Sequence, residues 1–246
     1  MTIALHRFAT SHFSEKARVC LDYKGLDYRI VERYPGADQL SLWRLSGQRK
    51  VPVIEHDGSV VHDSTAIALY LDHAFPDARP LLPADLAARR EALDLEDRLD
   101  AALGPNAPVV AFDHAQRDPA VRDALLKLMV PGVGVARAAI RVTASAARPA
   151  LWAPSARARI AGAYAAVREV LGECCDRLAT RPYLLGDTPT LADLAAVGLS
   201  FYLRYPRSAY LADPALAGVG VPDLINDPTL SRFFQWRDAL YARFLR

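Results

Sequence analysis

The chain has 246 residues, 52% of them apolar and 24% charged, with a net charge of +2 at pH 7. That length and apolar share allow one large core or two modest ones, and so small a charge with no block of like sign argues against a nucleic-acid partner. Three cysteines do not make a disulfide framework and suit a reducing, cytoplasmic setting. The N-terminal MTIALHRFAT lacks a signal-peptide core, and no run approaches the roughly eighteen apolar residues of a membrane span.

The first eighty residues alternate in type. Residues 2–7 read as a strand. Residues 14–24 read as a helix with Ala17, Cys20 and Leu21 on one stripe and Gly25 just past its end. A second strand is expected over 27–32 and a short helix over 39–45. The stretch KVPVIEHDGSVVHDSTAIALYL, residues 50–71, then reads as a hairpin turned by Asp57-Gly58, followed at once by a helix over 64–74. The order βαβ, α, ββ, α requires a right-handed parallel crossover plus an antiparallel hairpin, and hence a mixed four-stranded sheet.

After the proline-rich FPDARPLLPADL the strand signals nearly vanish. A helix is expected over 84–103, with GPNAP at 104–108 ending or kinking it. Asp118-Pro119 reads as a cap and first-turn proline, and Ser155 as the cap of a long helix with Ile160, Ala163, Tyr164, Val167 and Leu171 on its stripe. Thr190-x-x-Asp193, after Gly186-Asp187, reads as a capping box. Asp227-Pro228 starts a last helix. The expected organisation is an α/β domain over 1–76, a linker over 77–83 and an all-helical domain over 84–246.

Two features do not fit a plain hairpin. Pro52 lies inside the first hairpin strand, where it cannot donate to a ladder. Asp63-Ser64 opens a helix whose first N–H groups are unpaired and whose dipole is positive, a natural seat for a carboxylate. Taken alone, Pro52 also fits a trans proline on an edge strand, and Asp63-Ser64 also fits simple capping.

Together these residues resemble the glutathione transferase family, whose N-terminal domain is thioredoxin-like. The resemblance is carried by 50–71 and by the capping box at 183–196. It implies that Val51-Pro52 is cis, with the Val51 backbone pairing the cysteinyl backbone of glutathione. It further implies that Ser64 holds the γ-glutamyl carboxylate and that Asp63 faces the adjacent ammonium. Lys50 and Gln48 are candidates for the glycine carboxylate and equally for plain surface roles. In the family the turn after the first strand stabilises the thiolate, through a Tyr in some classes and a Ser or Cys in others. Here His6 stands where a first-strand tyrosine is often found, and Ser11 and Ser14 fill a CxxC-like spacing. Ser11, then Ser14, are the catalytic candidates, and the absence of cysteine there argues against a thiol-disulfide reductase. Phe8, Phe13, Asn106, Phe112 and Met129 are candidate linings for a small hydrophobic electrophile. The resemblance implies a cytoplasmic, detoxifying homodimer with glutathione as co-substrate and no metal. A glutathione-dependent lyase or isomerase, or a non-catalytic protein-binding module, remains open on the same scaffold. Asp94, Glu96 and Asp97 read as a solvated helix face, Cys20 as core, and Cys174-Cys175 as unbridged.

Overall fold

The computed structural model describes residues 2–129, 154–208, 211 and 214–245. Strands β1 (Ile3–Arg7), β2 (Tyr28–Glu32), β3 (Val53–His56) and β4 (Ser59–His62) form one sheet in the order β2-β1-β3-β4. β1 and β2 are parallel, with Leu5 opposite Ile30; β3 runs antiparallel to β1 and β4. The crossover from β1 to β2 is helix α1 (His12–Lys24), two residues longer at its start than the apolar stripe indicates. Asp57 and Gly58 both adopt positive φ, 48° and 80°, as the tight turn between twisted strands requires. α2 (Gln39–Ser46) and α3 (Ser64–Ala74) complete the unit, and the Val51-Pro52 peptide is cis.

Beyond residue 74 the described residues form helices, with a single isolated bridge between Arg204 and Gly220. They are α4 (Leu86–Arg117), α5 (Pro119–Met129), α6 (Pro154–Arg177), α7 (Leu191–Leu199), α8 (Pro222–Ile225) and α9 (Ser231–Phe244). The molecule is a thioredoxin-like α/β unit followed by a helical one. None of the helices in the described residues is long and apolar enough to cross a membrane.

Three local expectations are corrected. Of the two outcomes expected at GPNAP, ending the helix is ruled out: α4 runs 32 residues through Pro105 and Pro108. Ser155 is not a cap, because α6 already begins at Pro154. Asp227 caps a 3-10 turn, Pro228–Leu230, which leads into α9. The capping box is as expected: Asp193 takes the Thr190 N–H at 2.8 Å. Its other oxygen takes the Leu184 N–H at 2.8 Å, so one carboxylate ties the 183–186 turn to α7.

α1 is the seam of the molecule. Every residue of it but Phe13 is buried, because the sheet covers one side and α7 the other. The contact with α7 is so close that a Cβ on Gly198 would lie 2.4 Å from the Lys16 Cα, so only glycine fits there. Leu5, Cys20, Leu21, Ile54 and Leu71 share one cluster with Leu194, Val197 and Leu240 of the helical unit. Each such leucine contributes about 1.5–3 kcal/mol by burial, so the two units are joined by a continuous apolar core. A second core, built on Leu103, Val167, Leu171 and Phe233, holds the helical unit itself.

Candidate active site

The turn from β1 into α1 is tight: the Ser11 N–H donates to the Phe8 carbonyl at 2.9 Å. Ser11 is the N-cap, and its oxygen accepts the Ser14 N–H at 3.2 Å. Its hydroxyl proton has no acceptor among the described residues, so this half-buried group can still donate outward. Ser14 differs: it is fully buried and its oxygen has no hydrogen-bond partner among the described residues. His6, in β1, is also internal. Its Nδ1 accepts from Arg33 at 3.0 Å and its Nε2 lies 2.6 Å from Glu55. Burial lowers its pKa, and the accepting Nδ1 is that of a neutral ring.

The N-terminus of α3 faces the same helix. Asp63 sits at φ 72°, ψ 132°, a region that costs a non-glycine residue about 1–3 kcal/mol and tends to occur at functional positions. This conformation lets its Oδ1 cap Thr65 N at 3.0 Å and Ala66 N at 3.1 Å. Ser64 follows, 2% exposed. Thr65 joins a buried charge cluster. The fully buried Lys16 ammonium bonds the Glu96 carboxylate, both Asp100 oxygens at 2.7 and 2.8 Å, and the Thr65 hydroxyl oxygen at 3.1 Å. The Thr65 hydroxyl donates to Glu96 at 2.5 Å. One ammonium meets two carboxylates, so the cluster carries a formal excess of negative charge, and Glu96 Oε2 is buried with no partner among the described residues. Burial pushes the Asp100 carboxyl up, Lys16 opposes that, and Glu96 and Asp63 add to it. Glu96 is thus not part of a solvated face; Asp94 and Asp97 are exposed.

Lys50 is exposed, Val51 half-buried and Pro52 buried. Ladder pairing begins at Val53, which leaves the Val51 backbone beyond the end of the sheet. An apolar cavity of about 300 Å³ opens at Thr10, the residue before Ser11, and is walled by Pro108, Phe112, Leu125 and Leu126. Thr10, Gln116, Arg122 and Tyr202 are its polar contributors, and the Arg122 guanidinium has no hydrogen-bond or ion-pair partner among the described residues. Phe112 lines this cavity, half exposed; Phe8, Phe13 and Asn106 do not. Phe13 packs on Gly104, and Asn106 donates to the Ala102 carbonyl at 2.8 Å. The Met129 side chain lies outside the described residues. Among the described residues no cluster of three His, Cys, Asp or Glu is placed to hold a metal ion. All three cysteines are free and buried, and burial pushes the Cys20 thiol up to about 12.

The family model described as "Glutathione S-transferase, N-terminal domain" matches residues 5–79, and "Glutathione S-transferase, C-terminal domain" matches 156–239. The chain belongs to the glutathione S-transferase family. Among relatives of that family, "Glutathione S-transferase 1" of Dianthus caryophyllus is 38% identical over 88 residues, 35% of this chain and 39% of that protein. "Protein LigF" of Sphingobium sp. is 37% identical over 95 residues, 37% of each chain. The chain therefore aligns with well under half the length of either relative. The solved structure of "Beta-etherase LigF" covers 99% of this chain and 96% of its own, with TM-score 0.69 and 24% identity. A glutathione transferase family member from Pseudomonas fluorescens, solved with two glutathione bound, covers 98% and 89%, with TM-score 0.66 and 18% identity. At those identities both establish the shared fold.

Lys16, Thr65 and Asp100 carry no local signal of a site, nor do His12 and Tyr202, which flank the Ser11 turn, and Glu96 reads in the sequence as part of a solvated face. Charges three and four apart along a helix look solvated. What would have exposed them is that no face of α1 is left for solvent.

Proposed function

We propose that the protein is a glutathione transferase that joins the glutathione thiolate to a small hydrophobic electrophile held between Thr10 and helices α4 and α5. The observation that carries this reading is the Ser11 hydroxyl, with its proton unclaimed, next to the residue where the apolar cavity opens. In this reading Ser64 and the first N–H groups of α3 take the γ-glutamyl carboxylate. Asp63 and Asp100, with the excess negative charge beside Lys16, take the adjacent ammonium. The Val51 backbone pairs the cysteinyl backbone next to Pro52, and Lys50 takes the glycine carboxylate. Ser11 donates to the thiolate. Ser14, buried with no path to a ligand, supports packing.

A free thiol of pKa about 8.5 is only a few per cent ionised at neutral pH. Lowering that pKa by about two units raises the thiolate roughly twentyfold, and the accompanying fall in nucleophilicity takes back roughly tenfold of it. Most acceleration therefore comes from holding sulfur and electrophile together. As the carbon–sulfur bond forms, the bond to the leaving group breaks and that group departs with its electron pair. Arg122 stands where an anionic or accepting substituent of the electrophile would find a partner.

A second reading, ether cleavage, is supported by the similarity to Protein LigF. It is the same displacement with an aryloxide as leaving group. Homodimerisation is also part of the proposal and is read by light scattering. Calorimetric titration with glutathione, then turnover of a panel of aryl halides and aryl ethers with mass analysis of the thioether, tests both readings. Absence of glutathione binding defeats them together, and turnover of ethers alone selects the second.

A further inference from the structure

Pro108 creates a local defect in α4. The carbonyl of residue 104 would ordinarily accept the N–H of residue 108, and proline has none. Gly104 is buried, so its carbonyl needs another donor. His12 supplies it from the other unit, with Nε2 3.0 Å from Gly104 O. A carbonyl only accepts, so Nε2 carries the proton and the ring is neutral or fully protonated; burial lowers its pKa to about 4, leaving it neutral. The ring lies between Phe13, centroids 4.5 Å apart, and Tyr202, 5.1 Å apart. The Tyr202 hydroxyl in turn donates to the Thr10 carbonyl. Phe13 rests on Gly104, where a Cβ would lie 2.9 Å from its Cζ. Thr10, His12 and Phe13 are thus each tied to the helical unit, and Ser11 is held between them.

We infer that His12 is a positioning residue for the proposed transfer: its bond to Gly104 locks the Ser11 turn to the stretch of α4 that walls the electrophile cavity. This rests on the transferase reading. Pro108 serves both sides of the arrangement, since it lines the cavity and frees the carbonyl that His12 grips. The separation between a thiolate held at Ser11 and an electrophile held against Pro108 and Phe112 is then fixed by this polar contact together with the Thr10 and Phe13 ties, and small misplacements of reacting groups are expensive.

The test is a double-mutant cycle read as kcat and KM. His12→Phe keeps a ring and loses the donor; it lowers kcat about tenfold with little change in the KM for glutathione, the cost of one hydrogen bond at a reacting geometry. His12→Gln, which keeps a donor of similar reach, restores most of it. Pro108→Ala returns an N–H to the helix for Gly104, so in that background His12→Phe costs less than about threefold. An equal loss in both backgrounds, or no loss in His12→Phe, overturns the inference. Imidazole nitrogen resonances read the lock without any turnover. A ring with its proton on Nε2 supports it, and a neutral ring protonated on Nδ1 instead overturns it. Wild-type protein that binds no glutathione defeats the transferase reading instead, whatever the resonances show.

Discussion

Helix α1 carries two buried charge clusters with the same formal composition, one cation and two carboxylates, and they differ in completeness. In its later half Arg18 bonds both Glu15 oxygens, at 2.7 and 2.8 Å, and Asp22 at 2.6 Å. The Tyr28 and Tyr241 hydroxyls complete Asp22 and Glu15 at 2.8 and 2.7 Å, so each carboxylate oxygen has a donor. Burial would raise the Glu15 carboxyl, but the Arg18 charge and hydrogen bonds more than reverse it and hold it below its usual range. In the earlier half Lys16 leaves one Glu96 oxygen unpartnered, and Asp100 is pushed up. A finished cluster fixes structure. An unfinished one, next to Ser64 and Asp63, has capacity left for a ligand.

The comparison can be broken most forcefully at Arg18. Arg18→Met leaves two buried carboxylates uncompensated and should cost about 3–5 kcal/mol in urea unfolding. Glutathione affinity of the folded variant should move by no more than about twofold. An affinity loss matching the stability loss would mean the two halves are not separable.

Next in size is a pH effect at the start of α1. The folded pKa of His12 is depressed to about 4 from 6.5, so the unfolded chain binds more protons between those values. Its contribution is full above pH 6.5 and declines as pH falls towards 4, by on the order of 3 kcal/mol. Burial also lowers His6 and His114, so the measured quantity is the wild-type minus His12→Gln difference in unfolding free energy against pH. A pH-independent difference would remove the assignment.

In the proposed reaction Ser11→Ala removes the hydrogen bond to the glutathione thiolate, worth about 1.5–3 kcal/mol, and should lower kcat by roughly ten- to hundredfold. It should also raise the pKa of bound glutathione, followed by thiolate absorbance. An unmoved pKa would pass the role to another donor. Asp100→Asn should weaken glutathione about tenfold by calorimetry, as the ammonium loses a charge-assisted partner. Unchanged affinity would show that the excess charge beside Lys16 has no part in binding. The smallest effect belongs to Ser14→Ala. Removing a buried, unpartnered hydroxyl should leave stability unchanged or raise it by up to about 1 kcal/mol. A shifted thiol pKa in that variant would reverse the ranking of the two serines.

How far the site could be read beforehand depended on how local its chemistry is. Asp57-Gly58 and Asp63-Ser64 are legible because a turn and a helix start are decided by residues within four positions of each other. Phe112 and Phe13 look alike in the sequence, as aromatics at the same boundary; Phe112 lines the cavity, and Phe13 is drawn onto Gly104. The full length of α4 was not legible. Gly-Pro-Asn-Ala-Pro weakens a helix locally, and it continues where a side chain from 92 positions away satisfies the carbonyl that Pro108 abandons.

Element types, their order and the mixed sheet were determined by the sequence alone, because strand alternation, helix stripes and caps are short-range preferences. Which charges are buried was decided by tertiary structure. Glu15, Lys16, Arg18 and Asp22 have the spacing of a solvated face. They lie in the interior because the helical unit docks over α1, closely enough that Gly198 must lack a Cβ. Docking also chooses their partners, since Glu96, Asp100, Thr65 and Tyr241 lie on other elements. A hydrogen bond between residues far apart in the chain exists only once the fold has brought them together, and no local pattern encodes it.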